Sequence, residues 1–421
     1  MIYTPAAIIA ITYFARLQKI SSWENLVVIS AFLLQPATIL MDHGHFQYNT
    51  VMLGFSLASM ACILHDRLLW ACVAFVAALG FKQMALFFAP AIFAYLLGTC
   101  IVPRVEIKRL FQIALVTALS FFLLFSPIII HSFTKDAQNL SELLTPPALF
   151  HKLPLQPSPD SSLYSPVLQL AQAIHRIFPF ARGLFEDKVA NFWCALNTFY
   201  KLRSFDSGTL QRLALLATSA AITPPFLILL LRPRKELLPW GMATVSWAFF
   251  LFSYQVHEKN VLLPLLPTTF LLAGSSGFQT ATRSWIGLAN MLGSWTMFPL
   301  LEREQLRIPY AVLTLFWAYM LGLPPISTAI FSDTASGSLS LSSKVVHFFI
   351  YTAMASWHLL NAFAPTPEKK PDLWVVLNVL IGTAGFGLVY LWCLWNLLQK
   401  SGILGLLFRK KSSSIRKKKK A

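Results

Sequence analysis

The chain is a succession of long apolar segments separated by short polar loops. A bilayer offers no hydrogen-bond partners to the backbone, so a segment that crosses it is a helix or a strand of a closed barrel. Barrel strands are short and alternate apolar with polar residues, unlike these segments. The pattern predicts an all-α polytopic membrane protein with about 13 transmembrane helices, near residues 2–16, 24–41, 50–64, 68–86, 87–102, 110–130, 208–231, 237–255, 261–276, 284–301, 308–329, 344–362 and 372–398.

The amino-acid composition agrees with a membrane protein. Hydrophobic residues make up 56% of the 421 residues and charged residues 12%, a larger apolar share than a soluble core of this length requires. The five cysteines are scattered, and no cysteine or histidine cluster has the spacing of a zinc site. We therefore expect the cysteines to be small buried apolar side chains, and we predict neither a cofactor nor a metal.

Three polar islands interrupt the apolar pattern, each beside a long apolar segment: Asp42–Asn49, Arg182–Lys188 and Val256–Lys259. Ionisable groups at the edge of a membrane cost several kcal/mol unless they are paired or hydrated, so they are functional candidates. Together the islands predict a polar site at one end of a helical bundle. The candidate substrate-binding residues are Asp42, His43, His45, Gln47, Tyr48, Asn49, Arg182, Glu186, Asp187, Lys188, His257, Glu258 and Lys259.

Each island also has a simpler interpretation. Residues of Asp42–Asn49 are able to cap helix ends or anchor the chain at lipid headgroups, and His43 with His45 invites a zinc site for which no third ligand is identifiable. The arginine of Arg182–Lys188 suits phosphate and its carboxylates suit sugar hydroxyls, but the segment also fits a salt-bridged loop. In Val256–Lys259 the His and Glu are adjacent, so they cannot lie on the same face of a helix, and both reach a site only if the helix ends or breaks there. The simpler interpretation is that they are interfacial groups whose polar ends reach water.

Basic residues in short loops predict the orientation, because they favour the cytosolic side. This rule predicts that the C-terminal tail and four loops are cytosolic: those around Arg16, Arg67, Arg104 to Arg109 and Arg232 to Lys235. Because successive loops alternate between the two sides of the membrane, the three polar islands are then predicted to be on the opposite, luminal side. This requires that residues 189–202 do not span the membrane, and the segment is short for a span. The mixed-charge loop Glu302–Arg307 and the pair Lys369 and Lys370 are mild exceptions.

The C-terminal tail is strongly basic. The net charge of the chain is +17, and eight basic residues fall within the last thirteen positions. Such a tail is able to bind nucleic acid or anionic lipid; after a final apolar segment we interpret it as a cytosolic juxtamembrane anchor and predict no nucleic-acid partner. Lys418 and Lys419, fourth and third from the C-terminus, match a dilysine retrieval signal and predict the endoplasmic reticulum.

The chain divides into four predicted parts. Residues 1–130 and 204–400 are transmembrane helices, 131–203 form a luminal loop, and 401–421 form the basic tail. The loop is rich in proline and serine in its first half. From Leu168 it becomes amphipathic, so we expect order there. Within it, 189–202 is predicted to be a luminal or re-entrant helix.

Four segments resemble the dolichyl-phosphate-glucose-dependent glucosyltransferases of the endoplasmic reticulum, which are polytopic enzymes of the GT-C fold. The segments are Asp42–Asn49, Phe81–Met84, Arg176–Trp193 and Val256–Lys259, and the likeness extends over most of the chain. Phe81–Met84 and Gly183–Asn191 are similar to the branch that adds the first glucose. The sister branch, which adds the second glucose, remains the nearest alternative.

The resemblance implies a reaction and its partners. Glucose is transferred from dolichyl-phosphate glucose to lipid-linked Man9GlcNAc2, with inversion of the configuration at the glucose carbon. Both substrates and the enzyme are held in the lipid bilayer. It also implies that His257 and Glu258 lie at the donor head group, that Arg182, Glu186 and Lys188 line the luminal face, and that an apolar groove between helices holds the dolichyl chain.

One departure from the family concerns its first luminal loop. Members carry there an Asp-Tyr-Glu motif whose aspartate is the expected catalytic base, and this motif is absent from the chain. The resemblance therefore implies an N-terminally truncated form, with no catalytic residue assigned, and we expect the chain as written to be inactive. A catalytically dead scaffold and a lipid transporter are the alternatives to the enzyme.

Overall fold

The structure, a computed structural model, describes residues 2–134, 144–147, 150–152, 156–177, 188–332 and 337–403. Within these ranges all regular structure is helical, without a β-strand, which confirms the all-α expectation. The helices of the first third are α1 (Tyr3–Leu17), α2 (Ser22–Leu33), α3 (Pro36–Ile39), α4 (Asn49–Leu64), α5 (Leu68–Phe81), α6 (Ala89–Ile101) and α7 (Ile107–His131).

The remaining helices follow the proline-rich region. They are α8 (Tyr164–Ile177), α9 (Phe192–Phe199), α10 (Ser207–Leu231), α11 (Leu238–Phe252), α12 (Leu262–Phe270), α13 (Thr280–Thr296), α14 (Phe298–Arg303), α15 (Arg307–Leu321), α16 (Leu341–Phe363) and α17 (Leu373–Ser401). Short 3₁₀ turns join several of them, including Gln83–Phe87 before α6 and Glu258–Val261 before α12.

Several helices reach the length that a membrane requires. By length and composition, four described segments are able to cross a bilayer: Ser22–Gly44, α7, α10 and α17. Shorter apolar helices of 10–17 residues, namely α4, α5, α6 and α15, accompany them. These helices are consistent with a polytopic membrane protein, and the number of about 13 spans stays a prediction.

The segment predicted as one helix over 24–41 is broken. α2 ends at Leu33, and α3 begins at Pro36 with Gln35 as its N-cap. Proline lacks an N–H and disfavours helical backbone in the residue before it, so the helix does not continue unchanged. Beyond α3 the chain forms a π-helix over Leu40–Gly44. The break thus determines how the chain enters the first polar island.

A second break lies at the third polar island. α11 ends at Phe252, short of the predicted 255, and the chain is irregular until the 3₁₀ turn Glu258–Val261. His257 caps this turn with extended backbone. The third island therefore lies in the connection between two helices. This agrees with the expectation that His257 and Glu258 both reach a site only where a helix ends or breaks.

Buried polar side chains cross-link the helices of the core. Asn290 Oδ1 accepts hydrogen bonds from Gln35 Nε2 at 2.7 Å and from Thr269 Oγ1 at 3.0 Å. Trp247 Nε1 donates to Thr268 Oγ1 at 3.0 Å. Because polar groups in an apolar core need partners, these bonds fix the rotation of α11, α12 and α13 and the position of the α2–α3 break.

The loops that carry the basic residues meet at one end of the bundle. Lys235 Nζ, in the loop after α10, lies 2.5 Å from Asp66 Oδ2, in the loop after α4. Arg234 donates to the backbone oxygen of Lys400 near the end of α17. Three of the loops or helix ends predicted to be cytosolic are thus in direct contact.

The predicted luminal loop contains two described helices. α8 begins at Tyr164, before the expected Leu168. α9, with eight residues, is about 12 Å long, well short of the ~30 Å hydrocarbon core of a bilayer. Trp193 Nε1 donates to the backbone oxygen of Phe252 at 2.7 Å and holds α9 against α11. This length fits a helix that does not span, while the bounds of the four predicted parts remain predictions.

The cysteines form no disulfide. Cys72, Cys100 and Cys393 are buried, as expected, whereas Cys62 and Cys194 are half-buried. All five lie in or beside apolar helices and serve as small packing groups.

Candidate functional site

The first polar island begins with a buried carboxylate. Asp42 is 5% exposed, and its Oδ2 accepts a hydrogen bond from the backbone N–H of Thr50 in the first turn of α4. A carboxylate at a helix N-terminus meets free N–H groups and the positive end of the helix dipole. The capping interpretation is therefore correct for this oxygen. Among the described residues, the buried Oδ1 has no hydrogen-bond partner.

Lys82 reaches the island from the end of α5. Its Nζ donates to Asn49 Oδ1 at 2.6 Å and to the backbone oxygen of Gln47 at 3.0 Å. The Asp42 carboxylate and the Lys259 ammonium both act electrostatically on it. Gln47 thus contributes its backbone rather than its side chain. Sequence reasoning did not assign Lys82 to the site, although a lone cation ending an apolar helix was a usable signal.

His45 joins the first and third islands across 214 residues of sequence. Its Nε2 lies 2.7 Å from Lys259 Nζ, and its Nδ1 lies 3.4 Å from Glu304 Oε1. An ammonium is only a donor, so Nε2 accepts and Nδ1 carries the proton toward the carboxylate. We call Asp42, His45, Asn49, Lys82, Lys259 and Glu304 the polar cluster.

Other residues of the first island point away from this cluster. His43 is exposed, and Tyr48 is 62% exposed with its ring against Phe46. The backbones of Phe46 and Tyr48 have positive φ, 55° for each, which makes the chain reverse before α4. The described residues contain no group of three metal-ligating side chains.

A polar cavity of about 450 Å³ adjoins the cluster. Lys188, the last residue of the second island, pairs with Asp372 at 2.5 Å on its wall. Glu258, from the third island, lies 4.0 Å from Arg303 on the same wall. Lys188 from the second island and Glu258 from the third island therefore line the same cavity. Its lining is completed by Thr296, Pro299, Leu300, Glu302, Asn361, Val375 and Asn378.

The rest of the second island lies outside the described residues. This applies to Arg182, Glu186 and Asp187, so their assignment remains a prediction. His257, beside Glu258, is half-buried.

The loop Glu302–Arg307 is the main contribution that sequence reasoning missed. Glu304 contacts His45, Arg303 faces Glu258, and Glu302 pairs with Arg307 at 2.5 Å. The sequence showed this loop only as an exception to the charge rule. Its mixed charge on the side of the three islands was the signal that it belongs with them.

An apolar groove of about 710 Å³ runs between α5, α6 and α7. We call it the first groove. Its lining is almost entirely hydrophobic and includes Phe75, Leu79, Leu96, Ile113 and Phe121. Leu79 is three residues before Lys82, so one end of the groove lies near the polar cluster. α7 has no buried residue, which leaves this side of the bundle loosely closed.

Comparison with known proteins relates the chain to a family of glycosyltransferases. The model of the ALG6, ALG8 glycosyltransferase family matches residues 1–148 and 161–395. A Schizosaccharomyces pombe protein named probable dolichyl pyrophosphate Man9GlcNAc2 alpha-1,3-glucosyltransferase is 40% identical over 390 residues, which cover 92% of this chain and 66% of that protein. The Saccharomyces cerevisiae protein named for the same activity is 37% identical over 417 residues, 94% of this chain and 70% of its own length.

A more distant relative carries the same name. The Gallus gallus protein is 30% identical over an alignment of 422 positions, which covers 93% of this chain and 74% of its own length. The chain spans roughly two thirds of the length of the two yeast relatives. The match to the family model over most of the chain, together with these identities, shows that the chain belongs to the ALG6, ALG8 glycosyltransferase family.

Proposed function

We propose that the protein containing this chain is an inverting glucosyltransferase of the GT-C fold in the endoplasmic reticulum membrane. It transfers glucose from dolichyl-phosphate glucose to lipid-linked Man9GlcNAc2 and forms an α-1,3 bond. The observation that carries the proposal is 37–40% identity, over more than nine tenths of the chain, to two proteins named for the glucosyl transfer. The active face is luminal, and the C-terminus is cytosolic.

The reaction sets the requirements for the site. Oxygen 3 of the terminal mannose attacks carbon 1 of glucose, and the bond from that carbon to the phosphate oxygen breaks with its electron pair going to the phosphate. The proton of the attacking hydroxyl passes to a general base. Attack opposite to the leaving phosphate converts the β-linked donor into an α-linked product. The protein must therefore supply a base, cations for the phosphate and hydrogen bonds for the sugar.

The polar end of the bundle supplies the second and third of these requirements. Lys82 and Lys259 in the polar cluster are cations at the edge of the apolar helices, suited to the donor phosphate. Glu258 and Asp372 line the polar cavity, where carboxylates accept hydrogen bonds from sugar hydroxyls. His257 and Lys188 complete the described part of the binding face. We expect Arg182, Glu186 and Asp187, which lie outside the described residues, to bind the substrates as well. The base is not assigned to a residue of this chain.

The first groove fits the dolichyl chain of the donor. The reacting carbon of the donor is attached directly to its phosphate, so the donor chain must end at the reaction centre. The first groove is apolar and has Leu79 near the end of α5, three residues before Lys82. A chain in this groove brings its phosphate to the polar cluster.

A chimera tests the function. In the Saccharomyces cerevisiae relative, the aligned region is replaced by this chain, and the chimera is expressed in yeast cells that lack the native protein. We expect lipid-linked Man9GlcNAc2 to gain one glucose, as measured by chromatography of the released glycans. The intact yeast protein is the positive control.

Two results would contradict the proposal. One is failure of a chimera that reaches the membrane in normal amount to add glucose. The other is addition of glucose only to an acceptor that already carries one, which would identify the chain with the sister activity.

A further inference from the structure

A second apolar groove is formed by a different set of helices. It has a volume of about 440 Å³ between α13, α15 and α16, and its wall includes Arg307, Tyr310, Thr314, Pro325, Met354 and His358. It shares no lining residue with the first groove and none of the helices α5, α6 or α7. We call it the second groove.

The second groove has the length of a lipid chain segment. On α15 its lining residues run from Arg307 to Leu315, about 12 Å of helix, and on α16 they run from Tyr351 to His358, about 10 Å. An extended isoprenoid chain would therefore lie along α15.

One end of the second groove is polar and cationic. Arg307 pairs with Glu302, and the hydroxyl of Tyr310 lies 3.0 Å from His358 Nε2. Arg303 is four residues before Arg307, and the side chains of these two arginines are 72% and 66% exposed. Arg307 lines the groove, and Arg303 lines the polar cavity next to it. Two accessible guanidinium groups so close to the end of an apolar groove are complementary to a diphosphate attached to a lipid.

The second groove and the polar cavity share a wall. Glu302 lines the polar cavity and is the partner of Arg307, which lines the groove. Asn361 Nδ2 also approaches Glu302 from α16, at 3.4 Å from each carboxylate oxygen. A lipid held in the groove therefore has its head group on the same end of the bundle as the candidate site.

We propose that the second groove binds the isoprenoid chain of the lipid-linked acceptor, with its diphosphate at Arg303 and Arg307. The assignment rests on the proposed function, which requires two lipid-linked substrates. The donor reacts at the carbon next to its phosphate, whereas the acceptor reacts several sugars away from its diphosphate. The acceptor chain therefore belongs in a groove other than the one that ends near Lys82, and its glycan reaches from the diphosphate to the reaction centre. Binding of the diphosphate releases Glu302 from Arg307.

Steady-state kinetics of the chimera separate the two grooves. Ala311→Trp places an indole in the second groove, and we expect it to raise the KM for the lipid-linked acceptor about tenfold while the KM for dolichyl-phosphate glucose is unchanged. Ala114→Trp in the first groove should have the opposite selectivity. Val312→Trp is the matched control, because Val312 is on α15, is 60% exposed and does not line the groove. An effect of Ala311→Trp on the donor KM, or on neither KM, would overturn the assignment.

A binding experiment decides the assignment without catalysis. A photoreactive polyprenyl diphosphate chitobiose is added to the purified chain, and the cross-linked peptides are identified by mass spectrometry. We expect labelling of α15 and α16 that dolichyl diphosphate prevents and phosphatidylcholine does not. Equal competition by phosphatidylcholine would mean that the groove holds a bilayer lipid, and labelling confined to α5–α7 would also refute the proposal. An inactive chimera, by contrast, would count against the proposed function alone.

Discussion

At the scale of single residues, the polar cluster depends on Lys82. Its ammonium is the donor to both Asn49 and the backbone of Gln47, and it lies in the field of the buried Asp42 carboxylate. Removing one partner of a buried polar group leaves the others without compensation, which costs more than the bond itself contributes. The polar cluster is therefore sensitive to the Lys82 side chain, although Lys82 belongs to none of the three islands.

We predict that Lys82→Met lowers glucosyl transfer by the chimera at least tenfold, or about 1.4 kcal/mol of transition-state stabilisation. The substitution keeps an unbranched chain but removes the charge that we propose binds the donor phosphate. Transfer is measured at limiting donor. Lys108→Met is the control, because Lys108 is exposed on the first turn of α7, at the opposite end of the bundle, and should retain full activity. Equal activity of the two variants would exclude Lys82 from the site.

Glu258 offers a second test at this scale. Glu258→Gln keeps the volume of the side chain and removes its charge from the polar cavity, where it faces Arg303 at 4.0 Å. We expect transfer to fall at least tenfold with normal expression, since a charge-assisted hydrogen bond contributes ~1.5–3 kcal/mol. His257→Ala should act similarly. Glu106→Gln removes a carboxylate that pairs with Arg109 at 2.9 Å, in the loop before α7, and is the matched control. Undiminished transfer by Glu258→Gln would show that the third island is only an interfacial anchor.

At the scale of elements, helix packing depends on close backbone approach. In lipid the association of helices relies on van der Waals contact, so small residues occupy the crossing points. Gly98 of α6 is such a point, because a Cβ there would lie 2.6 Å from the backbone oxygen of Leu230 on α10. A helix carbonyl cannot rotate away, so α6 and α10 would have to separate.

We predict that Gly98→Ala destabilises the folded protein by about 1–3 kcal/mol, the usual cost of overpacking. The measurement is the thermal unfolding midpoint in detergent. Gly387→Ala on α17 is the control, because a Cβ there meets nothing within 4 Å. It should be neutral or stabilise by up to about 1 kcal/mol through helix propensity. Indistinguishable midpoints would show that α6 and α10 are not held at this distance.

At the scale of the whole molecule, the two ends of the bundle differ in the charged residues that they carry. One end joins basic loops through contacts such as Lys235 with Asp66. At the other end, His45 of the first island contacts Lys259 of the third, and Lys188 of the second island pairs with Asp372. Such polarity is what the positive-inside rule requires of a membrane protein with the first end in the cytosol.

Glycosylation mapping tests this orientation. We predict that an Asn-linked glycosylation acceptor inserted near Pro157 is modified in cells and that one inserted near Lys235 is not. The modification is read as a mobility shift that endoglycosidase removes. The reverse pattern would invert the orientation and place the candidate site in the cytosol.

The sequence by itself determined the helical class, the positions of most apolar helices and the polar islands. These properties are local: an apolar segment in lipid satisfies its backbone only as a helix, and the bilayer thickness sets its length. Helix breaks were less predictable. The break before Pro36 was missed because the hydrophobicity on its two sides is similar, although the proline itself was a signal.

Only the tertiary structure decided which polar residues share a site. The contact of His45 with Lys259 and that of Lys188 with Asp372 join distant segments. The contribution of Lys82 likewise depends on where the end of α5 meets the first island. The relative rotation and crossing of helices follow from packing at glycines such as Gly98 and from buried bonds such as Gln35 with Asn290. No local pattern of hydrophobicity encodes these relations, because they are properties of pairs of helices rather than of one.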